Sequence, residues 1–463
     1  MNAPIIWMGL PACLSVLLWF TGQRRALTSG LGSGICLFFA ALAWQVPIGT
    51  IIRLGFINFE ISPNLFVLGR QFVISNNDRG IIIFLFIFGA FWFFGAGLAG
   101  LNRLFIPTGM ALLSLSIAAL SVEPFLYAAL IVEIMVLISI PMLVIPGQRV
   151  GHGQLRFIIF QTLALPFILL AGWATAGVDS NPADEKLLLQ AVILLGLGMA
   201  FWLAVFPFHS WLPLMMEETN PYSNVFLLSL LQSVAIFLLL KFLDSFAWLR
   251  NYTILGNAFL LIGTIMVLTS GIWAVFQTDI RRIIGYGFTF ESGLSLLALG
   301  SGIPAGAKIL IALFLSRILS FGLMALAITI IARSGTVNLK SIRGYLYKLP
   351  FSSLALVIGL FSTAGLPVLG GFPARLALLE ALGRDNLVYL PWVFFGMTGL
   401  FLSGVRVFAS LINSETLVWE RNEKWLDIGL LVISITGLII IGIFPNWTFP
   451  TLIKLLIAFD NLG

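Results

Sequence analysis

The sequence predicts an all-α polytopic membrane protein of about 14 transmembrane helices, and three observations carry that reading. Of 463 residues, 60% are hydrophobic and only 10% are charged, against roughly 25% charged in a soluble domain, and the mean hydropathy is +1.06. Apolar runs of about 18 residues or more, the length that crosses a bilayer core, recur along the whole chain. Two of those runs are interrupted by proline and glycine, at Pro207 and Pro367, 160 residues apart. Two interrupted spans at corresponding places are the sequence pointer to a repeat-built transporter with its site at the repeat interface.

In chain order the expected spans are 3–20, 33–52, 81–101, 104–121, 124–145, 157–178, 188–206, 223–243, 254–276, 283–302, 306–332, 351–382, 387–411 and 426–446. The first lacks a basic leader and a small-residue cleavage site, so it reads as a retained helix. The longest polar insert, 53–80, alternates β-branched and aromatic residues around Ser62-Pro63-Asn64, which predicts a small surface hairpin. One set of alternate loops, including Arg24, Arg103, Arg149, Arg281, Arg282, Lys340 and Arg421, is richer in basic residues than the other. That side should face the cytoplasm or its topological equivalent, with both termini opposite.

The net charge of +6 comes without a long basic run, so it fits loop anchoring and argues against a nucleic-acid partner. Cys13 and Cys36 are the only cysteines, both in apolar segments. Disulfide frameworks, zinc sites and cysteine-held iron–sulfur clusters are thereby excluded, and no cofactor is expected in this chain.

The first interruption lies in AFWLAVFPFHSWLP, where Pro207 and Pro213 flank His209. Proline removes a backbone donor and clashes one turn back, so the helix must break. At membrane depth, broken backbone survives only against protein or a watery cavity, which makes His209 a candidate for polar work. The second interruption, GLPVLGGFPARL, combines Gly365, Pro367, Gly370 and Gly371 and is followed by Arg375 and Glu380.

A charge near the bilayer centre costs about 2.5–3.5 kcal/mol on insertion scales, so each one calls for a role. Glu133 sits mid-span with no local partner in sequence and is the leading candidate for a proton relay; the bland reading is a helix–helix hydrogen bond. Arg317 and Arg406 fall inside other spans, Arg406 near enough to an end to snorkel. Glu291 reads equally as a relay group or as a partner of Arg281 or Arg282. Gly95, Gly97 and Gly100 spell GxGxxG within an apolar span, where small-residue helix packing explains them better than a dinucleotide. Asn251 and Asn446 head bare glycosylation sequons.

Three ordered motifs carry a resemblance: FPFHSWLP at 206–213, QTDIRRIIGYG at 277–287, and LKSIRGYLYKLPFSSLALVIGLFSTAGLPVLGGFPARL at 339–376. From about Glu123 to Arg406 the chain resembles the antiporter-like membrane subunits shared by respiratory complex I, Mrp-type cation/proton antiporters and membrane-bound hydrogenases. The resemblance implies two inverted five-helix repeats, each with a broken helix, here 104–250 and 251–412. Helices within 1–103 precede them and a C-terminal helix and tail, 413–463, follow. It also implies a line of charged and hydrated residues along the membrane midplane. On that pattern Glu133 matches the family's glutamate, His209 its motif histidine, and Arg375 a position usually lysine or glutamate. Glu291 stands where a histidine is common, and Arg317 lies beside Ser316 and Ser320, the positions of a polar pair. The central lysine falls on Trp202 and a second lysine near Gln232 to Val234; no lysine occurs between Lys186 and Lys241. Tryptophan relays no proton and arginine stays charged, so the lysine–glutamate exchange does not transfer intact.

The resemblance implies a membrane-arm subunit of a redox-driven proton pump, and the absence of the central lysines is what puts its proton path in question. Electron transfer would reside in partner subunits, so redox partners are indirect, and its neighbours would be other membrane-arm subunits and lipids. A non-conducting structural subunit and an Mrp-type antiporter subunit are the alternatives. The expected location is a bacterial plasma membrane, or a thylakoid or organellar inner membrane.

Overall fold

The computed structural model describes residues 2–462, apart from 22–24, 55–56, 68, 145–146, 148–149, 181–183, 304, 414–418, 420–421, 457–458 and 460. Arg24, Arg149 and Arg421 of the basic loops lie outside the described residues. The helices are α1 (Leu10–Thr21, entered through a π-turn at Ile5–Gly9), α2 (Arg25–Gln45), α3 (Arg79–Ala99), α4 (Phe105–Ser121), α5 (Ala128–Leu143), α6 (His152–Ser180) and α7 (Glu185–Trp202). Then follow α8 (Trp211–Glu218), α9 (Pro221–Ser245), α10 (Ala247–Arg250), α11 (Thr253–Phe276), α12 (Ile280–Gly300) and α13 (Ala305–Ala332). The last are α14 (Tyr345–Lys348), α15 (Pro350–Ala364), α16 (Phe372–Asp385), α17 (Leu390–Ile412), α18 (Trp425–Ile443) and α19 (Pro445–Leu456).

Among the described residues, 10 helices are long and apolar enough to cross a membrane, and shorter apolar helices accompany them at Ile5–Phe20, Phe105–Ser121, Ala128–Leu143 and Pro350–Ala364. Their outward faces are apolar: Phe20, Trp173, Val388 and Leu426 are largely exposed, as helices solvated by lipid require. Local chemistry sets several starts. The Asp184 side chain accepts from the Lys186 and Leu187 amides at the head of α7, and Asn220 accepts from Tyr222 and Ser223 ahead of Pro221 in α9. Asp279 accepts from the Arg281 amide to begin α12. Each satisfies donors that a helix start leaves free.

The insert departs from the expected single hairpin. It forms two, β1 (Ile51–Leu54) with β2 (Ile57–Glu60) and β3 (Asn64–Val67) with β4 (Arg70–Val73), and β5 (Val122–Glu123) adds to β4. Pro63 has no amide to donate to a ladder, so Ser62-Pro63 separates two hairpins instead of turning one; Gly69, at φ 74°, makes the β3–β4 turn.

The core centres on α9, which is buried along nearly its whole length. Phe226 packs with Phe88, Phe93 and Phe105 on α3 and α4, while Phe237 stacks on Phe314 of α13 at 5.1 Å. The GxGxxG stretch is a packing surface: Gly95 abuts the Tyr222 hydroxyl and Gly97 abuts Ser29.

Candidate functional site

Both interrupted spans break, and the two breaks differ in kind. The first runs between Trp202, the last residue of α7, and Trp211, the first of α8, with a 3-10 turn at Phe208–Ser210. The freed backbone is satisfied locally: the Leu203 amide donates to Met199 O at 2.9 Å and the Val205 amide to Ala200 O at 2.8 Å. Gln161, buried on α6, donates to Phe201 O at 3.4 Å. Around this frame the packing is aromatic. Phe201 lies 4.5 Å from Phe208 and 5.8 Å from Phe160, and Trp211 packs on Phe157. Trp202 is buried. His209 is half-buried, stacked on Phe206 at 5.6 Å, and its Nδ1 has no protein partner. Pro213 sits within α8, against Gly285 of α12.

The second break is polar. It separates Ala364 of α15 from Phe372 of α16 and is pinned by side chains. The Ser320 hydroxyl of α13 donates to Ser362 Oγ at 2.8 Å, and Ser362 Oγ in turn accepts from the Gly371 amide at 3.2 Å. Arg375 Nη1 donates to Gly371 O at 2.7 Å, closing the turn from the other side. Gly365, at φ 83°, and Gly371 leave room for that guanidinium: a Cβ at either would meet Arg375. Pro367 lies in the turn and Gly370 packs on Leu438 of α18. Each break also holds one non-glycine residue with left-handed backbone, Ala204 at φ 51° and Val368 at φ 75°. Such strain persists only where the surroundings over-determine it, and it clusters at functional sites.

From the second break a charge cluster reaches into the protein. Glu291 on α12, Arg317 on α13 and Arg375 on α16 are 1%, 3% and 2% exposed. Arg375 Nη2 donates to Glu291 Oε1, and Arg317 Nε lies 3.4 Å from Glu291 Oε2. Arg317 Nη2 also donates to Glu291 O at 2.9 Å and to Ser295 Oγ at 2.5 Å. One carboxylate against two guanidinium groups leaves a formal excess of one positive charge. Arg317 lies 5.6 Å from the Phe314 ring, whose stacking on Phe237 connects the cluster to α9. Glu291 is therefore not the surface partner of Arg281 or Arg282. Those arginines are taken by Asp279 at 2.7 Å and Glu217 at 2.5 Å, and Glu291 lies about 14 Å further along the α12 axis from Arg282.

The remaining predicted residues stand apart from that cluster. Glu133 on α5 is half-buried and accepts from Thr162 of α6 at 2.8 Å, while its Oε2 has no protein partner. Glu380 is exposed and paired with Arg384 one turn on. Arg406 donates to Gln277 O at 3.3 Å. Gln232 and Val234 are buried in α9, and both amide atoms of Gln232 lack a protein partner.

Several polar residues escaped the sequence reading. Asn224 and Ser229 on α9, and Thr289 and Ser292 on α12, are buried with polar atoms that have no protein partner, as are Arg317 Nη1 and Arg375 Nε. A neutral serine, threonine or asparagine in an apolar helix carries no alarm in sequence, since the backbone usually satisfies it. Ser362 is silent for the same reason. Among the described residues, no group of three or more His, Cys, Asp or Glu side chains is placed to hold a metal ion.

A family profile described as "NADH:quinone oxidoreductase/Mrp antiporter, TM" matches residues 152–403. The chain is 27% identical over 417 residues to "NADH-quinone oxidoreductase subunit 13" of Thermus thermophilus, covering 81% of this chain and 86% of that one. It spans less of other curated relatives, 56%, 66% and 59% of three subunits N. Among solved structures it is similar to a chain of the Mrp complex from Dietzia sp., with a TM-score of 0.83, 17% identity and coverage of 99% and 97%. A chain of the archaeal membrane-bound sulfane sulfur reductase matches with a TM-score of 0.83, 16% identity and coverage of 100% and 98%.

Proposed function

This chain belongs to the NADH:quinone oxidoreductase/Mrp antiporter transmembrane family, and from that premise we propose that it is a membrane-arm subunit of a redox-driven proton pump. It is an integral membrane protein, an antiporter-like subunit of the complex I and Mrp type. Electron transfer takes place in partner subunits, and the membrane is a bacterial plasma membrane, or a thylakoid or organellar inner membrane. Proton movement is carried by the second half of the chain. The observation that supports this most is the buried Glu291–Arg317–Arg375 cluster at the second helix break. An uncompensated charge is expensive inside a membrane and marks ion pathways. Buried polar groups without protein partners, here Thr289 and Ser292 on the same helix, are sites for internal water.

One observation favours a second reading, a non-conducting structural subunit. The first break is aromatic, and Trp202 stands where the family resemblance puts a lysine. A pump with this sequence keeps its protons out of the first break. The test is the proton yield per electron of the assembled complex in sealed vesicles. Arg375→Gln removes the excess positive charge while Arg317 still faces Glu291, and is expected to lower the yield with normal assembly. Glu133→Gln keeps the acceptor for Thr162 and is expected to leave the yield unchanged. Two unchanged yields would select the structural reading, and a drop for Glu133→Gln would put conduction in the first half as well.

A further inference from the structure

Beside the first break lies a feature that the charge cluster does not use. An apolar cavity of about 370 Å³ is bounded by Gly196 and Met199 of α7, Val205 and Phe208 of the break, and Phe259 and Ile262 of α11. A second cavity of about 320 Å³ sits at the α10–α11 junction, where Arg250, Asn251, Tyr252, Thr253 and Asn461 supply polar groups. Leu255 and Phe259 line both. The two volumes therefore adjoin, one polar at its mouth and one apolar toward the break, each within the roughly 300–1,000 Å³ of ordinary ligand sites.

We propose that this path binds one anionic phospholipid, its phosphate at Arg250 and one acyl chain running between α7 and α11 to the first break. The depth fits a lipid: Trp248 and Tyr252 bracket Arg250 in sequence, and such aromatic residues mark the level of the headgroups. From Leu255 to Ile262 the cavity follows α11 for about 10 Å, most of one leaflet's share of a hydrocarbon core about 30 Å thick. Charge fits as well. Arg250 Nη1 is anchored on Leu243 O at 3.2 Å and Asp244 O at 3.1 Å, which orients a planar fork suited to a phosphate. Asp244, the carboxylate nearest in sequence, is engaged: its Oδ1 accepts from the Asn461 amide at 2.7 Å.

Two glycines leave the space open. Gly196 lines the apolar cavity and Gly256 the polar one, and a Cβ at either would meet nothing within 4 Å. Glycine inside a helix is costly relative to alanine, and neither is required here by a packed neighbour. Ile193 and Ile254, on the outer faces beside the path, are 51% and 58% exposed, giving the second acyl chain an apolar surface.

Native mass spectrometry of the full chain, purified and exchanged into mixed micelles of dioleoylphosphatidylglycerol and dioleoylphosphatidylcholine, tests the assignment. One phosphatidylglycerol should remain per chain when bulk lipid is stripped. Arg250→Gln should lower its retention about ten-fold, as loss of a charge-assisted phosphate contact implies, and Gly196→Phe, which fills the apolar cavity, should abolish it. Millimolar inorganic phosphate should not displace it; displacement would assign the mouth to a free anion and overturn the lipid. Equal retention of phosphatidylcholine, or retention unaffected by both substitutions, would also overturn the proposal. Should either variant fold poorly, wild-type chain labelled by a phosphatidylglycerol carrying a mid-chain diazirine decides the matter. Adducts on α7 or α11 around Met199 and Phe259 support the site, and adducts confined to other helices refute it.

Discussion

Glu291 accepts a hydrogen bond from Arg375 across 84 residues of sequence, so the middle of one unbroken helix holds the far side of a broken one. Arg317 reaches the same carboxylate from a third helix. Three helices thus converge on one side chain that has almost no contact with solvent.

Removing that side chain's charge is predicted to be severe. Glu291→Gln leaves two guanidinium groups buried without a counter-charge, and breaking a buried pair in this way costs about 3–5 kcal/mol. The variant should assemble poorly and melt earlier in detergent; a wild-type melting profile would show that the cluster contributes little to holding α12, α13 and α16 together.

Ser362 gives a milder and more local prediction. Ser362→Ala leaves the Ser320 hydroxyl and the Gly371 amide without their present acceptor, about 1–3 kcal/mol if no water replaces it. Amide exchange should quicken at Gly371 and its neighbours while α9 stays protected. Equal exchange in both proteins would mean that Arg375 alone fixes the turn.

A third prediction concerns α11 and α17. A Cβ at Gly271 would meet the Gly396 backbone, and one at Gly399 would meet Gly271, a close approach that only small residues permit. Gly271→Leu must push these helices apart, at about 1–3 kcal/mol or more. Lower thermal stability of the purified chain is expected, and an unchanged transition would contradict the close approach.

The helices were the easy part to read. Runs such as Pro221–Ser245 are apolar for long enough that only a membrane-crossing helix fits them, and Pro207, Pro367 and the paired Gly370-Gly371 announce the breaks. Arg317 and Arg375 were noticeable because guanidinium groups are rare in such company. Their meeting was not legible, because it depends on the packing of three helices, and no spacing in the chain records that. Glu291 shows the limit well: Arg281 and Arg282 are its nearest basic residues in sequence, yet both find acids at the end of the helix while Glu291 lies turns deeper. The second hairpin was missed because Ser-Pro-Asn suits a turn as well as a connection. Glu380, just past the second break, lies on an exposed face where it pairs with Arg384, a placement its position in the sequence does not reveal.

The Ser320–Ser362–Gly371 chain of hydrogen bonds has a consequence for timing. With Arg375 holding the opposite edge, the two halves of the broken helix are fastened to α13 and to each other. The polypeptide there is built as a stator, and hinge-like rocking would have to undo several bonds at once. Whatever charge passes through this half would then travel by side-chain rotation and hydrogen-bond exchange within a fixed frame, and not by the microsecond-to-millisecond hinge motion of domains.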